Sequence, residues 1–139
     1  MFLEMPNGDV INLANVIAVR ATDYMHRITI YAAYDETYFI EAADEENQHE
    51  LMGRLHFLLH GVPATACTSW VYVDNLILRT DKIRQIVPDE DGQGNKIVKI
   101  YADKYQFLID TNAEKYMEEL KKLLSRSCVG GPNNMYVKL

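Results

Sequence analysis

Apolar residues alternate with polar ones along most of this chain, and the pattern predicts strands, two helices and a duplicated order. Phe2 to Met5 and Val10 to Leu13 read as two short strands around Pro6-Asn7-Gly8-Asp9, because Asn-Gly accepts the positive φ angles of a tight hairpin. Val16 to Thr22 reads as a third strand, with Asp23 to His26 as a connection. The stretch Arg27 to Leu59 follows: strand Arg27-Ile28-Thr29-Ile30-Tyr31, a polar corner, strand Thr37-Tyr38-Phe39-Ile40-Glu41, then a helix. Asp44 is placed as its N-cap, Glu45 and Glu46 suit the positive end of the helix dipole, and Leu51, Leu55, Leu58 and Leu59 form one apolar face. Gly61 and Pro63 are its stop signals.

The pattern returns once. Tyr31-Ala32 is echoed by Tyr101-Ala102, Tyr38-Phe39-Ile40-Glu41 by Phe107-Leu108-Ile109-Asp110, and Leu51 and Leu55 by Leu120 and Leu124. Trp70 to Val73 and Leu76 to Arg79 open the second copy around a turn at Asp74-Asn75. Lys82 to Val87 matches Asn15 to Arg20, so Val16 and Val19 fall on Ile83 and Ile86. Thr111-Asn112-Ala113-Glu114 has the spacing of a capping box, and Tyr116, Met117, Leu120, Leu123 and Leu124 supply an apolar helical face. The expected fold is α+β: two tandem repeats, each an antiparallel β-meander followed by one α-helix. Boundaries fall at 1–65 and 66–126, with 127–139 as a tail whose Met135 to Leu139 predicts an added strand. The link from Val62 to Ser69 is short, so the halves are expected to share one core.

This order of strands, turn and acid-capped helix resembles the small flagellar FlbD-like proteins of bacteria. The likeness rests on Leu3 through Asn7-Gly8, Val10-Ile11-Asn12-Leu13, Val16-Ile17, Ile28-Thr29-Ile30, Tyr38-Phe39-Ile40 and the helix from Asp44, and it implies a regulatory or adaptor role. Duplication and tail depart from a family of single units.

Composition bears on partners. The chain has 139 residues, 48% of them hydrophobic, enough for a core in one domain. There is no apolar run near the roughly 18 residues that span a bilayer, and no basic and apolar leader, which points to a soluble cytoplasmic protein, in host cytoplasm if phage-encoded. Cys67 and Cys128 follow the two helices and read as free thiols. The net charge of -6 disfavours duplex nucleic acid. Residues 1–65 carry three Arg and ten carboxylates, net -7, whereas residues 66–139 carry eleven cations and ten acids, net +1. An anionic ligand would prefer the second half.

No catalytic constellation emerges: no phosphate-binding glycine loop, no nucleophile elbow, and carboxylates that sit where capping needs them. Catalysis and cofactors are not expected. Asp89-x-Asp91-x-Gln93-Gly94 imitates a calcium loop, but Ile100 stands where the bidentate Glu is required, so a hairpin loop is the reading. His49, His56 and His60 fall within about 20° of one helical stripe, near Gly53. Without a third ligand in reach they suit an interface between subunits better than a metal, and Tyr136 of the tail joins that expected interface. The aromatic and basic residues Trp70, Tyr72, Arg79, Lys82, Arg84, Lys99, Tyr101, Lys104 and Tyr105 are the expected ligand-binding set, since aromatic faces beside guanidinium groups suit a base and its phosphates. The expected function is therefore a non-enzymatic homo-oligomer that captures a small anionic, nucleotide-like molecule. In that respect it resembles phage proteins that sequester immune signals. The alternative is a protein-protein adaptor.

Overall fold

The computed structural model describes residues 1–60 and 70–126. Strands β1 (Phe2–Glu4) and β2 (Val10–Asn12), a 3-10 turn at Leu13–Asn15, β3 (Val16–Ala21), β4 (Arg27–Ala32), β5 (Thr37–Glu41) and α1 (Glu45–His60) come first. After the link come β6 (Trp70–Val73), β7 (Leu76–Arg79), a 3-10 turn at Thr80–Lys82, β8 (Ile83–Glu90), β9 (Lys96–Ala102), β10 (Tyr105–Ile109) and α2 (Ala113–Arg126). The fold is α+β, with ten strands and two helices among the described residues. The expected strand at Met135–Leu139 lies outside them, as do Cys67, Cys128 and Tyr136.

The sheets do not respect the order of the halves. One has the order β5-β4-β3-β7-β6, so the hairpin that opens the second half extends the sheet of the first. The registers place Ala18 opposite Leu78, Val19 opposite Ile77 and Arg20 opposite Leu76. A three-stranded sheet, β10-β9-β8, and the isolated hairpin β1-β2 complete the set. Strands β3 and β8 each carry a bulge at the same place, between Val16 and Ala18 and between Ile83 and Gln85.

The five-stranded sheet is buried on both faces, as its Ile- and Val-rich strands require. On one face Val16, Val19, Ile28, Ile30 and Ile40 join Met52, Leu55 and Leu59 of α1, together with Met5 and Ile11 of the first hairpin. On the other, Ile17, Ala18, Val71, Val73, Leu76 and Leu78 meet Val98, Ile100, Phe107 and Ile109 of the three-stranded sheet and Leu120 of α2. Tyr31 closes this second core with its ring 5.0 Å from Tyr105 and 4.9 Å from Phe107, both edge to face. Each fully buried Ile, Leu or Phe contributes roughly 1.5–3 kcal/mol, so the cross-half core is a principal source of stability.

Local signals decide the ends. Gly8 takes φ +93° in the first hairpin turn, where Asn7 accepts the Asp9 amide at 3.0 Å. Asp44 accepts the Asn47 amide at 2.7 Å, and Asn47 returns the bond by accepting the Ala43 amide at 3.0 Å. The second helix starts differently from the expected capping box. The Thr111 hydroxyl reaches its neighbour Asp110 at 3.4 Å, Asn112 adopts φ +53°, and Glu114 pairs with Lys96. The 89–95 loop is a hairpin turn, in which one Asp91 oxygen accepts the Gln93 amide at 2.8 Å and the Asn95 amide at 2.9 Å.

Candidate functional site

Cross-strand pairing puts Gln85, Tyr101 and Gln106 in one row on the three-stranded sheet and Val87, Lys99 and Leu108 in the next. These rows form the face opposite the one that Ile86, Val98, Ile100 and Phe107 turn to the core, because side chains alternate along a strand. The bulge in β8 presents Arg84 at the end of the first row. Its guanidinium carbon stands 5.9 Å from the centre of the Tyr101 ring, and its Nε donates to the Asp103 carbonyl at 2.7 Å. Lys82 accepts the Asp103 amide through its carbonyl at 2.9 Å, so Lys82 and Arg84 clamp the turn that carries Lys104. Lys99 pairs with Asp89 at 3.1 Å, which keeps the lysine charged to higher pH, while the Glu90 amide and then Lys99 hold the Asp89 carboxyl below its usual range. Lys104 meets Asp35 at 3.3 Å across the halves. Among the described residues no carboxylate pairs with Lys82 or Arg84.

Of the nine expected ligand-binding residues, Lys82, Arg84, Lys99, Tyr101, Lys104 and Tyr105 belong to this sheet and its turns, and all of these but Tyr105 lie on its outer face or at the turns that border it. Trp70, Tyr72 and Arg79 lie elsewhere, and Tyr105 points away from the others. Trp70 is buried in the first core, and Tyr72 packs beside it with its ring 5.2 Å from His56. Arg79 donates to Asp81 at 2.8 Å and to the Ala14 carbonyl at 2.7 Å, tying the second hairpin to the first half. Tyr105 turns its hydroxyl inward to the carbonyls of Ala32 at 2.7 Å and Glu36 at 3.3 Å, and burial raises its pKa. Alternation alone could not separate Trp70 and Tyr72 from the outward Tyr101, since β6 is apolar on both sides, whereas Tyr105 alternates in phase with the buried Phe107 and Ile109.

The expected interface stripe is partly exposed. His49, Gly53 and His60 face solvent, whereas His56 is half-buried, 4.3 Å from His60 between ring centres. Burial first, and the neighbouring His60 second, push the His56 pKa below its ordinary value, and no hydrogen bond reaches its Nε2. The backbone of Trp70 acts in the opposite direction. No group of three or more His, Cys, Asp or Glu side chains among the described residues is placed to hold a metal.

Sequence reasoning missed the concave features of the surface, among them a space beside β8 between Pro88, Lys96 and Met117. A cleft of about 710 Å³ lies between α1 and the strand ends, lined by Arg20, Asp23, Glu45, Glu46, His49, Asp74 and Asp110. Its acid excess disfavours an anion, and its residues come from too many segments for spacing to reveal it. A smaller groove of about 350 Å³ is apolar, formed by Leu3, Met5, Ile40, Leu51, Leu55 and Leu58. Among the described residues no helix is long and apolar enough to cross a membrane. No family model, curated protein or solved structure matches this chain.

Proposed function

We propose that the chain is a tandem duplication of one strand-rich unit and works as a non-enzymatic, oligomeric binding protein for a small anionic, nucleotide-like ligand. The duplication is supported by one offset of 67 residues that relates the 3-10 turn at Leu13–Asn15 to that at Thr80–Lys82 and the bulge of β3 to that of β8, and by outer hairpins that follow at offsets of 70 and 69. One observation carries the ligand reading: Arg84, with no carboxylate partner among the described residues, stands 5.9 Å from the centre of the half-buried Tyr101 ring, on the sheet face that also carries Lys99 and next to the turn that holds Lys82. A planar base can stack on the ring while the guanidinium and ammonium groups bond phosphate oxygens. Calorimetric titration with a panel of cyclic and linear nucleotides tests it. Binding tighter than about 100 μM, weakened at least tenfold by Arg84→Ala, is expected; no binding at that level overturns the reading.

A second reading, an adaptor for another polypeptide with the role that FlbD-like proteins imply, is favoured by the apolar groove and by exposed Tyr24, Met25, Phe39 and Phe57. Capture experiments separate the two, because a sequestering protein retains a metabolite and an adaptor retains a defined polypeptide.

A further inference from the structure

We propose that copies of this chain associate head to tail, the β1-β2 hairpin of one copy adding to the free edge of β8 in the next. The inference rests on the duplication and is independent of what the protein binds.

Strands β3 and β8 hold matching places, each between a 3-10 turn and an outer hairpin, and each with the same bulge. Beyond its outer hairpin, β3 also pairs along its second edge with β7. Among the described residues the second edge of β8 pairs with nothing. Shifting the β3-β7 register by 67 residues turns Ala18, Val19 and Arg20 into Gln85, Ile86 and Val87, and Leu78, Ile77 and Leu76 into Ile11, Val10 and Asp9. The strand that β8 is built to accept is therefore β2. It cannot be the copy's own β2, because Met5 and Ile11 hold that hairpin in the first core beside α1.

The exposure of the two hairpins fits this assignment. Trp70 and Ile77 are only 7% and 0% exposed, covered where their hairpin meets α1. Their counterparts in the first hairpin, Phe2 and Val10, are 71% and 62% exposed. A space of about 700 Å³ lies open beside β8, between Pro88, Lys96 and the α2 residues Ala113 and Met117. In the first half the corresponding place is the cleft of about 710 Å³ beside α1, and there the β6-β7 turn forms one wall, with Asn75 and Ala21 exchanging bonds of 2.7 and 2.9 Å. Pro88 stands where Ala21 does and lacks its N–H, so pairing must end at Val87. A proline on a free edge also limits how far any added strand can pair. The contact joins two different surfaces, so it generates a ring or a filament and not a two-fold dimer.

Light scattering and disulfide mapping on the full chain test this. Phe2→Asp with Val10→Lys, both at exposed positions, is expected to give a folded monomer with unchanged circular dichroism and a melting temperature that no longer depends on protein concentration. Asp9 and Val87 would face each other as a pair without mutual hydrogen bonds, where the Cα separation of about 4.5 Å admits a disulfide. Mixing D9C chains with V87C chains is expected to yield a 9–87 link between copies. A wild-type monomer at roughly millimolar concentration would overturn the proposal, as would an oligomer that survives the double substitution. So would links to β8 that come only from other segments, such as residues 135–139 of the tail. Absence of nucleotide binding by an intact assembly would remove the ligand reading alone.

Discussion

Asp44 and Asn47 satisfy two free amides at the start of α1, each accepting from the other's neighbourhood at 2.7 and 3.0 Å. Losing such a cap costs about 1 kcal/mol, so Asp44→Ala is expected to lower stability by that amount in chemical denaturation. Thr111→Ala is expected to cost only a few tenths, because Thr111 is spent on Asp110 and caps no helical amide. The same scale sets a pH effect at His56. Burial and His60 depress its pKa, so the unfolded chain binds the proton more readily than the folded one. Stability contributed by the neutral ring is therefore whole above the ordinary pKa of 6.5 and falls as pH drops below it. Denaturation at pH 7.5 and pH 5.5 should show a loss in the wild type and a smaller loss in His56→Gln; equal losses would remove this role.

At the scale of elements the decisive contact is β7 against β3. The Asn75 side chain donates to the Ala21 carbonyl at 2.7 Å and sits where the hairpin enters the sheet. Asn75→Ala is expected to destabilise by about 1 kcal/mol and to raise hydrogen exchange at the Ala21 amide, which bonds the Asn75 carbonyl. Unchanged protection at Ala21 would mean that the hairpin docks through Ile77 and Leu78 alone. The individual strands, the Asn7-Gly8 turn and the Asp44 cap were legible in sequence because each depends on neighbours a few residues away. The partner of β7 was not. Leu76-Ile77-Leu78 is apolar on both sides and says that the strand is buried twice over, yet any buried edge would satisfy it. For the same reason Trp70 reads as a candidate ring for a ligand when it fills a core, while the approach of Arg84 to Tyr101 depends on the bulge between Ile83 and Gln85, which sequence alternation does not announce. The acid-lined cleft beside α1 gives no sequence signal, since its walls come from distant segments.

Across the whole molecule, the β6-β7 hairpin of the second half completes the sheet of the first, and the two halves are expected to unfold as one cooperative body. Residues 1–65 alone would leave the Ala18–Arg20 edge unpaired and expose the Ile17 and Tyr31 face; residues 66–139 alone would lose the surface on which Val71 and Leu78 are buried. Neither loss is tolerable against a net stability that for a domain of this size is only about 5–15 kcal/mol. The single tryptophan permits a direct check, because Trp70 belongs to the second half but is buried in the core of the first. Its fluorescence should follow the same urea transition as helical circular dichroism, which α1 and α2 both supply. Coincident midpoints are expected, together with fragments 1–65 and 66–139 that are unfolded apart and gain structure when mixed. Two separated transitions, or one fragment folded alone, would show that the halves are independent units and that the shared sheet adds little to stability.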